Sequence, residues 1–311
     1  MKIFSGSKTL KLAQNISDYI GVGLGKIQID KFSDGEILPL FRESVRGEDV
    51  FFITDTSSSD LIVETLLVVD AAKRAGCKSF NLISPYMGYS RQDKTDHLRS
   101  SIGSRVLADI LEKVGVTSVT SIDLHSSSIQ GFYNIPFIHL NGNKIFLDYI
   151  RDLGLDNLCI LSPDQGAVRR ASDFCKSFSD ASFAMINKKR IRPNEIHSME
   201  LVGDVKGKNV IVVDDIIDTG RTLAKSATLI MESGALSVRC LSTHGVLSGV
   251  AIETLENSPI TEVLISDSLH SAYDKSELSN KITVISCSDL VSKSINAMSQ
   301  NKSIDEVNRI V

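Results

Sequence analysis

Short apolar runs rich in β-branched residues punctuate the chain at 2–4, 26–29, 50–54, 79–83, 118–122, 158–161, 182–186, 210–213, 237–241, 262–265 and 281–285. Between them lie stretches with apolar residues at helical spacing, among them 61–75, 104–114, 167–176, 223–233 and 289–298. Several of these end at or near Gly76, Gly115 or Gly234, and glycine closes a helix in the left-handed conformation without a Cβ penalty. Apolar runs that are continuous rather than alternating predict strands covered on both faces. Strands alternating with helices therefore predict an α/β fold of mostly parallel sheets flanked by helices.

The 311 residues suffice for about two domains, each with its own core. A faint internal repeat points the same way. Ile3-Phe4-Ser5-Gly6 is echoed by Ile160-Leu161-Ser162-Pro163, and Gly76 with Ser84 by Gly234 with Ser242. The identities are few, so coincidence and a duplicated α/β unit both account for them; duplication would put the boundary near 141–144.

Composition narrows the class. Hydrophobic residues make up 42% and charged residues 23%, values of a globular protein rather than a disordered or membrane one. The net charge of -4 argues against a nucleic-acid partner. Cys77, Cys159, Cys175, Cys240 and Cys287 form no C-x-x-C pair, which predicts neither a disulfide framework nor a zinc site. The opening residues turn polar too soon for a signal-peptide core, and no apolar stretch nears the roughly 18 residues of a membrane span, so the expected setting is the cytoplasm.

The segment Asn209 to Leu223, NVIVVDDIIDTGRTL, carries the sharpest chemical signal. A buried strand over 210–213 is expected to end at Asp214 and Asp215, after which Asp218-Thr219-Gly220-Arg221-Thr222 turns into a helix. Backbone amides and two hydroxyls then converge at a helix N-terminus, which is an anion site. Carboxylates beside an anion conflict unless the ligand is a sugar phosphate, whose phosphate sits in the loop while its hydroxyls donate to the acidic pair. Acidic residues that merely cap the helix are the alternative. The corresponding loop of the first half, Asp55-Thr56-Ser57-Ser58-Ser59, lacks both the acidic pair and the T-G-x-T turn, so only the C-terminal half is expected to bind the sugar phosphate.

That run resembles the phosphoribosyl-pyrophosphate signature of type I phosphoribosyltransferase folds. Further segments, Phe32-Ser33-Asp34-Gly35-Glu36-Ile37, Pro85 through Lys94, Asp123-Leu124-His125, Ile129-Gln130-Gly131-Phe132 and Thr243-His244-Gly245, resemble the ribose-phosphate pyrophosphokinase family, in order and from end to end. The resemblance implies two phosphoribosyltransferase-type domains, 1–143 with the ATP-site segments and a lid, and 144–311 with the ribose 5-phosphate loop and a catalytic arm. It also implies transfer of the pyrophosphoryl group of ATP to the anomeric hydroxyl of ribose 5-phosphate, giving phosphoribosyl pyrophosphate and AMP for nucleotide biosynthesis.

Site residues follow from the same resemblance. Phe32, Asp34, Gly35 and Glu36 would hold ATP across a subunit contact, with Phe32 on the base, although a polar turn is the plainer reading of those residues. Arg91 and Gln92 would serve ATP from a lid over 91–99, otherwise a solvated loop. His125 and Asp164, each at a strand's C-terminal end, would hold Mg2+, where a lone Asp before a helix otherwise reads as an N-cap. Lys188 and Arg190 would be catalytic, in a basic arm otherwise read as a solvated ribbon. Asp214, Asp215 and the 218–222 loop would take ribose 5-phosphate, and no dedicated general base is visible. The resemblance further implies dimers assembled into a homohexamer, with phosphate and ADP as effectors. Thr95, His97, Ser101, Ala167 and Arg221 depart from the family's commonest pattern, and none of them removes a catalytic group. A plain phosphoribosyltransferase and a non-catalytic family member are the rival readings.

Overall fold

The computed structural model describes residues 1–309 except 96, 193, 194 and 278; at 189–192, 195–198, 275 and 276 it describes the backbone alone. The chain begins β1 (Lys2–Ser5), α1 (Leu10–Ile20), β2 (Ile27–Lys31), β3 (Ile37–Phe41), β4 (Asp49–Ile53), α2 (Ser59–Arg74), β5 (Ser79–Ile83), α3 (Gly103–Val114), β6 (Ser118–Ile122), β7 (Phe137–Leu140). It continues through α4 (Asn143–Asp152), β8 (Leu158–Ser162), α5 (Val168–Cys175), β9 (Ser182–Arg192), β10 (Glu195–Val202), β11 (Asn209–Ile217), α6 (Arg221–Glu232) and β12 (Ser237–Gly245). Last come α7 (Ala251–Glu256), β13 (Glu262–Ser266), α8 (Ala272–Ser276), β14 (Ile282–Ile285), α9 (Ser288–Ser299) and α10 (Asp305–Asn308). Among the described residues no helix is long and apolar enough to cross a membrane.

Two units divide the chain. The first comprises 1–141, 268–270 and 286–308; the second comprises 142–267, 271–285 and 309. Two late segments, 268–270 and 286–308, belong to the first unit.

The first unit is a five-stranded parallel sheet in the order β1-β4-β5-β6-β7, with the antiparallel pair β2-β3 beside it as a separate ribbon. Phe4, Phe52, Phe80 and Leu82 of its strands pack with Val68 and Val69 of α2 and Leu107 and Leu111 of α3. The second unit's sheet runs β10-β9-β8-β11-β12-β13-β14, antiparallel only at β9-β10. Its central strand explains the continuous apolar run. Successive residues of a strand point to opposite faces, so Val210 and Val212 join one core with Leu223 and Ala227 of α6, while Ile211 and Val213 join another with Phe146 of α4 and Phe174 of α5.

Both units follow one plan, which settles the faint repeat. The order β8-β11-β12-β13-β14 reproduces β1-β4-β5-β6-β7, with a ribbon after the first strand each time. Backbone bonds recur as well. The Gly47 amide donates to Gly76 O and the Gly207 amide to Gly234 O, both at 2.8 Å, and Gly76 and Gly234 both have positive φ, 82° and 91°.

Superposed on this plan, Asp55 takes the place of Asp215, because β4 pairs β5 from Asp49↔Ser79 as β11 pairs β12 from Asn209↔Ser237. The fold itself consumes the Asp55 carboxylate. It is fully buried and accepts the His270 amide (3.0 Å), His270 Nδ1 (2.8 Å), the Ser57 amide (3.1 Å) and the Ser57 hydroxyl. Burial alone would raise its pKa, but donation from His270 and Ser57 outweighs burial and holds it below the ordinary value. A depressed folded-state pKa contributes stability above the unfolded-state value and loses it as pH falls through the folded one. Asp55→Asn is therefore expected to cost about 3 kcal/mol at neutral pH and to flatten the loss of stability below about pH 4. Urea unfolding at both pH values checks this; an equal acid loss in variant and parent would refute it.

Candidate active site

In the second unit β11 outruns one of its neighbours. Its register with β8 ends at Val212↔Leu161, whereas its register with β12 continues to Ile217↔Gly245. Asp214 and Asp215 therefore lie within the strand, not after it as the sequence suggested, and past the end of its pairing with β8. Ligands collect at such C-terminal edges, where one strand stops and its neighbour goes on.

From the end of β8 the chain turns into α5. Asp164 Oδ1 accepts the amides of Gly166 (3.0 Å) and Ala167 (3.2 Å), a turn that precedes α5; the N-cap itself is Ala167, so Asp164 is not the cap that its place before a helix suggested. Its Oδ2 accepts from Lys188 Nζ at 3.2 Å. Lys188 projects from β9 with only 5% of its side chain exposed. The Arg190 side chain lies outside the described residues; its backbone pairs with Ile196 of β10.

The acidic pair is itself ordered. Asp214 Oδ1 accepts the Asp215 amide at 2.9 Å, and Asp215 Oδ1 lies 3.3 Å from Nη1 of Arg170 on α5. Burial, then the neighbouring Asp215 and Asp164, push Asp214 well above the ordinary carboxylate range, against the opposing pull of Arg170. Three carboxylates and two cations, Asp164, Asp214, Asp215, Arg170 and Lys188, thus meet at one sheet edge.

The 218–222 loop closes the other side. Gly220 enters α6 with φ 69°, and a Cβ there would lie 3.2 Å from Leu255 Cγ, so glycine suits both backbone and space. Ser248 braces the loop, its amide donating to Asp218 O (3.1 Å) and its hydroxyl to Asp218 Oδ1. The N-cap of α6 is Gly220, which has no side chain to cap it, and the first turn holds no acidic residue. The positive end of the helix favours an anion there, with Thr222 and the exposed Arg221 in its first turn. The helix starts at Arg221, two residues before its expected start at 223, which puts Arg221 and Thr222 in the first turn.

The remaining predicted residues belong to the first unit. Phe32 to Glu36 form the tip of the β2-β3 ribbon, closed by the Phe32 amide on Glu36 O (2.8 Å) and by Gly35 at φ 95°. The Glu36 amide donates to Asp34 Oδ1 (3.1 Å), and Phe32 stands 55% exposed. Arg91 and Gln92 follow Tyr89, itself at φ 60°, and Gln92 O accepts the amide (3.2 Å) and hydroxyl (2.9 Å) of Ser104 at the start of α3. Just after β6, Asp123 has φ 39° and the Leu124 amide donates to His139 Nε2 (2.9 Å), which presents His125 at the surface.

Sequence reasoning missed Arg170, Ser248 and His139. Arg169-Arg170 did leave a trace, since two cations near a helix N-terminus oppose its dipole and ask for a reason. Ser248 and His139 carry no such mark.

A divalent cation suits the donor set. Among the described residues no three His, Cys, Asp or Glu form a cage, and Asp164 offers a partly exposed carboxylate that acts electrostatically on Asp214. Magnesium binds in this way, through one or two carboxylates, retained waters and substrate phosphates.

Comparison with known proteins gives one answer. Residues 1–115 match the family model described as the N-terminal domain of ribose phosphate pyrophosphokinase, and 167–309 match that of the phosphoribosyl synthetase-associated domain. The chain is 41% identical over 306 residues to a ribose-phosphate pyrophosphokinase of Bacillus cereus, covering 98% of this chain and 96% of that one. It is 40% identical over 306 residues to that of Corynebacterium ammoniagenes, with the same coverage. A crystal structure of phosphoribosylpyrophosphate synthetase from Mycobacterium smegmatis matches with a TM-score of 0.89 at 35% identity, covering 96% of this chain and 99% of that one.

Proposed function

Because the chain belongs to the ribose-phosphate pyrophosphokinase family, which makes phosphoribosyl pyrophosphate and AMP from ATP and ribose 5-phosphate, we propose a division of that work among its own residues. The observation that carries the proposal is the edge of β11, where an acidic pair stands between a buried lysine and a helix with glycine at its N-cap.

Ribose 5-phosphate binds with its phosphate on the amides of 218–222, the Thr219 and Thr222 hydroxyls and the Arg221 guanidinium. Its ring hydroxyls donate to Asp214 and Asp215. This fixes the anomeric hydroxyl for attack on the β-phosphorus of ATP, and negative charge then builds on the moving group and on the departing AMP oxygen. Lys188 and Arg190 meet that charge. Mg2+, held by Asp164 and His125, would supply further charge neutralisation on the phosphates.

ATP is held by Phe32, Asp34, Gly35, Glu36, Arg91 and Gln92. Phe32 exposed at a ribbon tip suits a base-stacking role toward a second copy of the chain, in keeping with dimers that build a hexamer. Phosphate and ADP as effectors, and a cytoplasmic setting where ATP is abundant, belong to the same proposal. The first unit's counterpart of the acceptor site does not bind sugar phosphate, because Asp55 is committed to His270 and Ser57.

AMP formation from ATP tests the reading. It is expected to require both ribose 5-phosphate and Mg2+, and Arg221→Gly is expected to raise the KM for ribose 5-phosphate about five-fold by loss of one phosphate contact. Well-folded protein that forms no AMP would favour the non-catalytic rival.

A further inference from the structure

Arg170 belongs to none of the motifs above, yet it meets the acidic pair directly. Its Nη1 and Asp215 Oδ1 are 3.3 Å apart, with side chains only 17% and 9% exposed. A pair so far withdrawn from water contributes little net stability, since loss of hydration by both ions offsets their attraction. What it contributes is placement.

The supports of that placement are rigid. Arg170 sits on α5, whose Ala171 and Phe174 share a core with Ile211 and Val213 of β11, the strand that carries Asp215. Its carbonyl accepts from Asn143 Nδ2 at 3.0 Å, at the start of α4. Helix and strand are therefore locked together by packing, and the guanidinium is aimed by the core rather than by a loop. An ionised carboxylate offers about four lone-pair positions, so an arginine on one oxygen fixes the rotamer and leaves acceptor capacity for a sugar hydroxyl.

We propose that Arg170 is a positioning residue for the acceptor sugar, clamping the Asp215 carboxylate in the orientation that receives the ribose hydroxyls. The proposal rests on the reading of Asp214 and Asp215 as ribose acceptors. It separates Arg170 from Lys188 and Arg190, which act on the phosphates: Arg170 touches neither ATP nor the moving group.

Steady-state kinetics on Arg170→Met, Arg170→Lys, Asp215→Asn and the Arg170→Met/Asp215→Asn double variant, with a thermal melt of each, test it. Arg170→Met is expected to raise the KM for ribose 5-phosphate about 20-fold and to leave the KM for ATP within about two-fold. Arg170→Lys, which restores the charge without the planar fork, should recover part of the loss. Once Asp215 is asparagine, removing Arg170 should change the KM for ribose 5-phosphate no further, because the clamp has nothing left to hold.

A loss that persists in full in the Asp215→Asn background would overturn the proposal in favour of direct substrate contact. So would a rise confined to the KM for ATP. Equal rises in both constants together with a lowered melting temperature would mark Arg170 as a structural prop. If Asp215→Asn itself leaves the KM for ribose 5-phosphate unchanged, the underlying reading of the acidic pair fails, and the clamp with it. Should Arg170→Met fail to fold, Arg170→Lys with and without Asp215→Asn gives the same comparison.

Discussion

The Lys188→Ala variant is expected to form AMP about 10² to 10³ times more slowly than the parent, the usual loss when one charge-stabilising donor is removed. The expectation comes from where Lys188 stands. β9 pairs with β8 only as far as Ser162↔Met185, and beyond that it continues as a ribbon with β10, so Lys188 lies just past the sheet edge where Asp164 and the acidic pair meet. A lysine with 5% of its side chain exposed, paired with one carboxylate, is costly to keep unless its charge is used. Its resting partner is Asp164, and phosphates arriving with a divalent cation would exchange that partner for the moving group.

This gives the variant a second signature. Truncation leaves the Asp164 charge uncompensated, so the Mg2+ concentration needed for half-maximal rate should fall rather than rise, even as turnover collapses. A variant with parental melting temperature and AMP formation within ten-fold of the parent would take the catalytic cation away from Lys188.

Gly88→Ala is expected to be the most damaging single methyl in the first unit. A Cβ at Gly88 would stand 2.0 Å from the carbonyl oxygen of Thr56, which is backbone and has no rotamer to escape into. The two segments are stitched together. Gly88 N donates to Thr56 Oγ1 (2.7 Å), and Thr56 N to Tyr86 O (3.3 Å). Relieving the clash means moving 54–57, and with it the buried Asp55 and its hold on His270. A cost of about 4 kcal/mol follows, together with a raised KM for ATP, because Arg91 and Gln92 come directly after the displaced turn. Gly131→Ala, with nothing within 4 Å of the new methyl, is the matched control and should change stability by less than about 0.5 kcal/mol. Equal unfolding midpoints in urea for the two variants would refute the steric argument.

The parallel strands were legible because burial on both faces leaves a continuous apolar run, as at 210–213, where neighbours face different cores. Ribbon strands and the parallel edge strand β7 left weaker marks. β3 contains Pro39, β7 is four residues with His139 among them, and β10 mixes polar residues through EIHSMELV. Ribbon and edge strands need no such run, since their pairing depends on one neighbour. The acidic pair was readable as chemistry but misplaced as geometry: pairing with β12 carries the strand past it to Ile217. Contacts across long sequence distances were not readable at all. Asp55 and His270 are 215 positions apart, and nothing local marks either as the other's partner. The Arg170 contact with Asp215 joins a helix to a strand and has no sequence spacing of its own.

The return of 286–308 to the first unit has a bearing on the order in which the protein can finish. Leu290, Val291 and Ile295 of α9 are buried, and Ser292 Oγ reaches Ile16 O of α1 at 3.5 Å. In the chain α1 precedes every strand of the second unit and α9 follows them, so the first unit gains α9 only after those strands have been made. Until α9 emerges, a nascent chain leaves the face of α1 that packs on α9 uncovered.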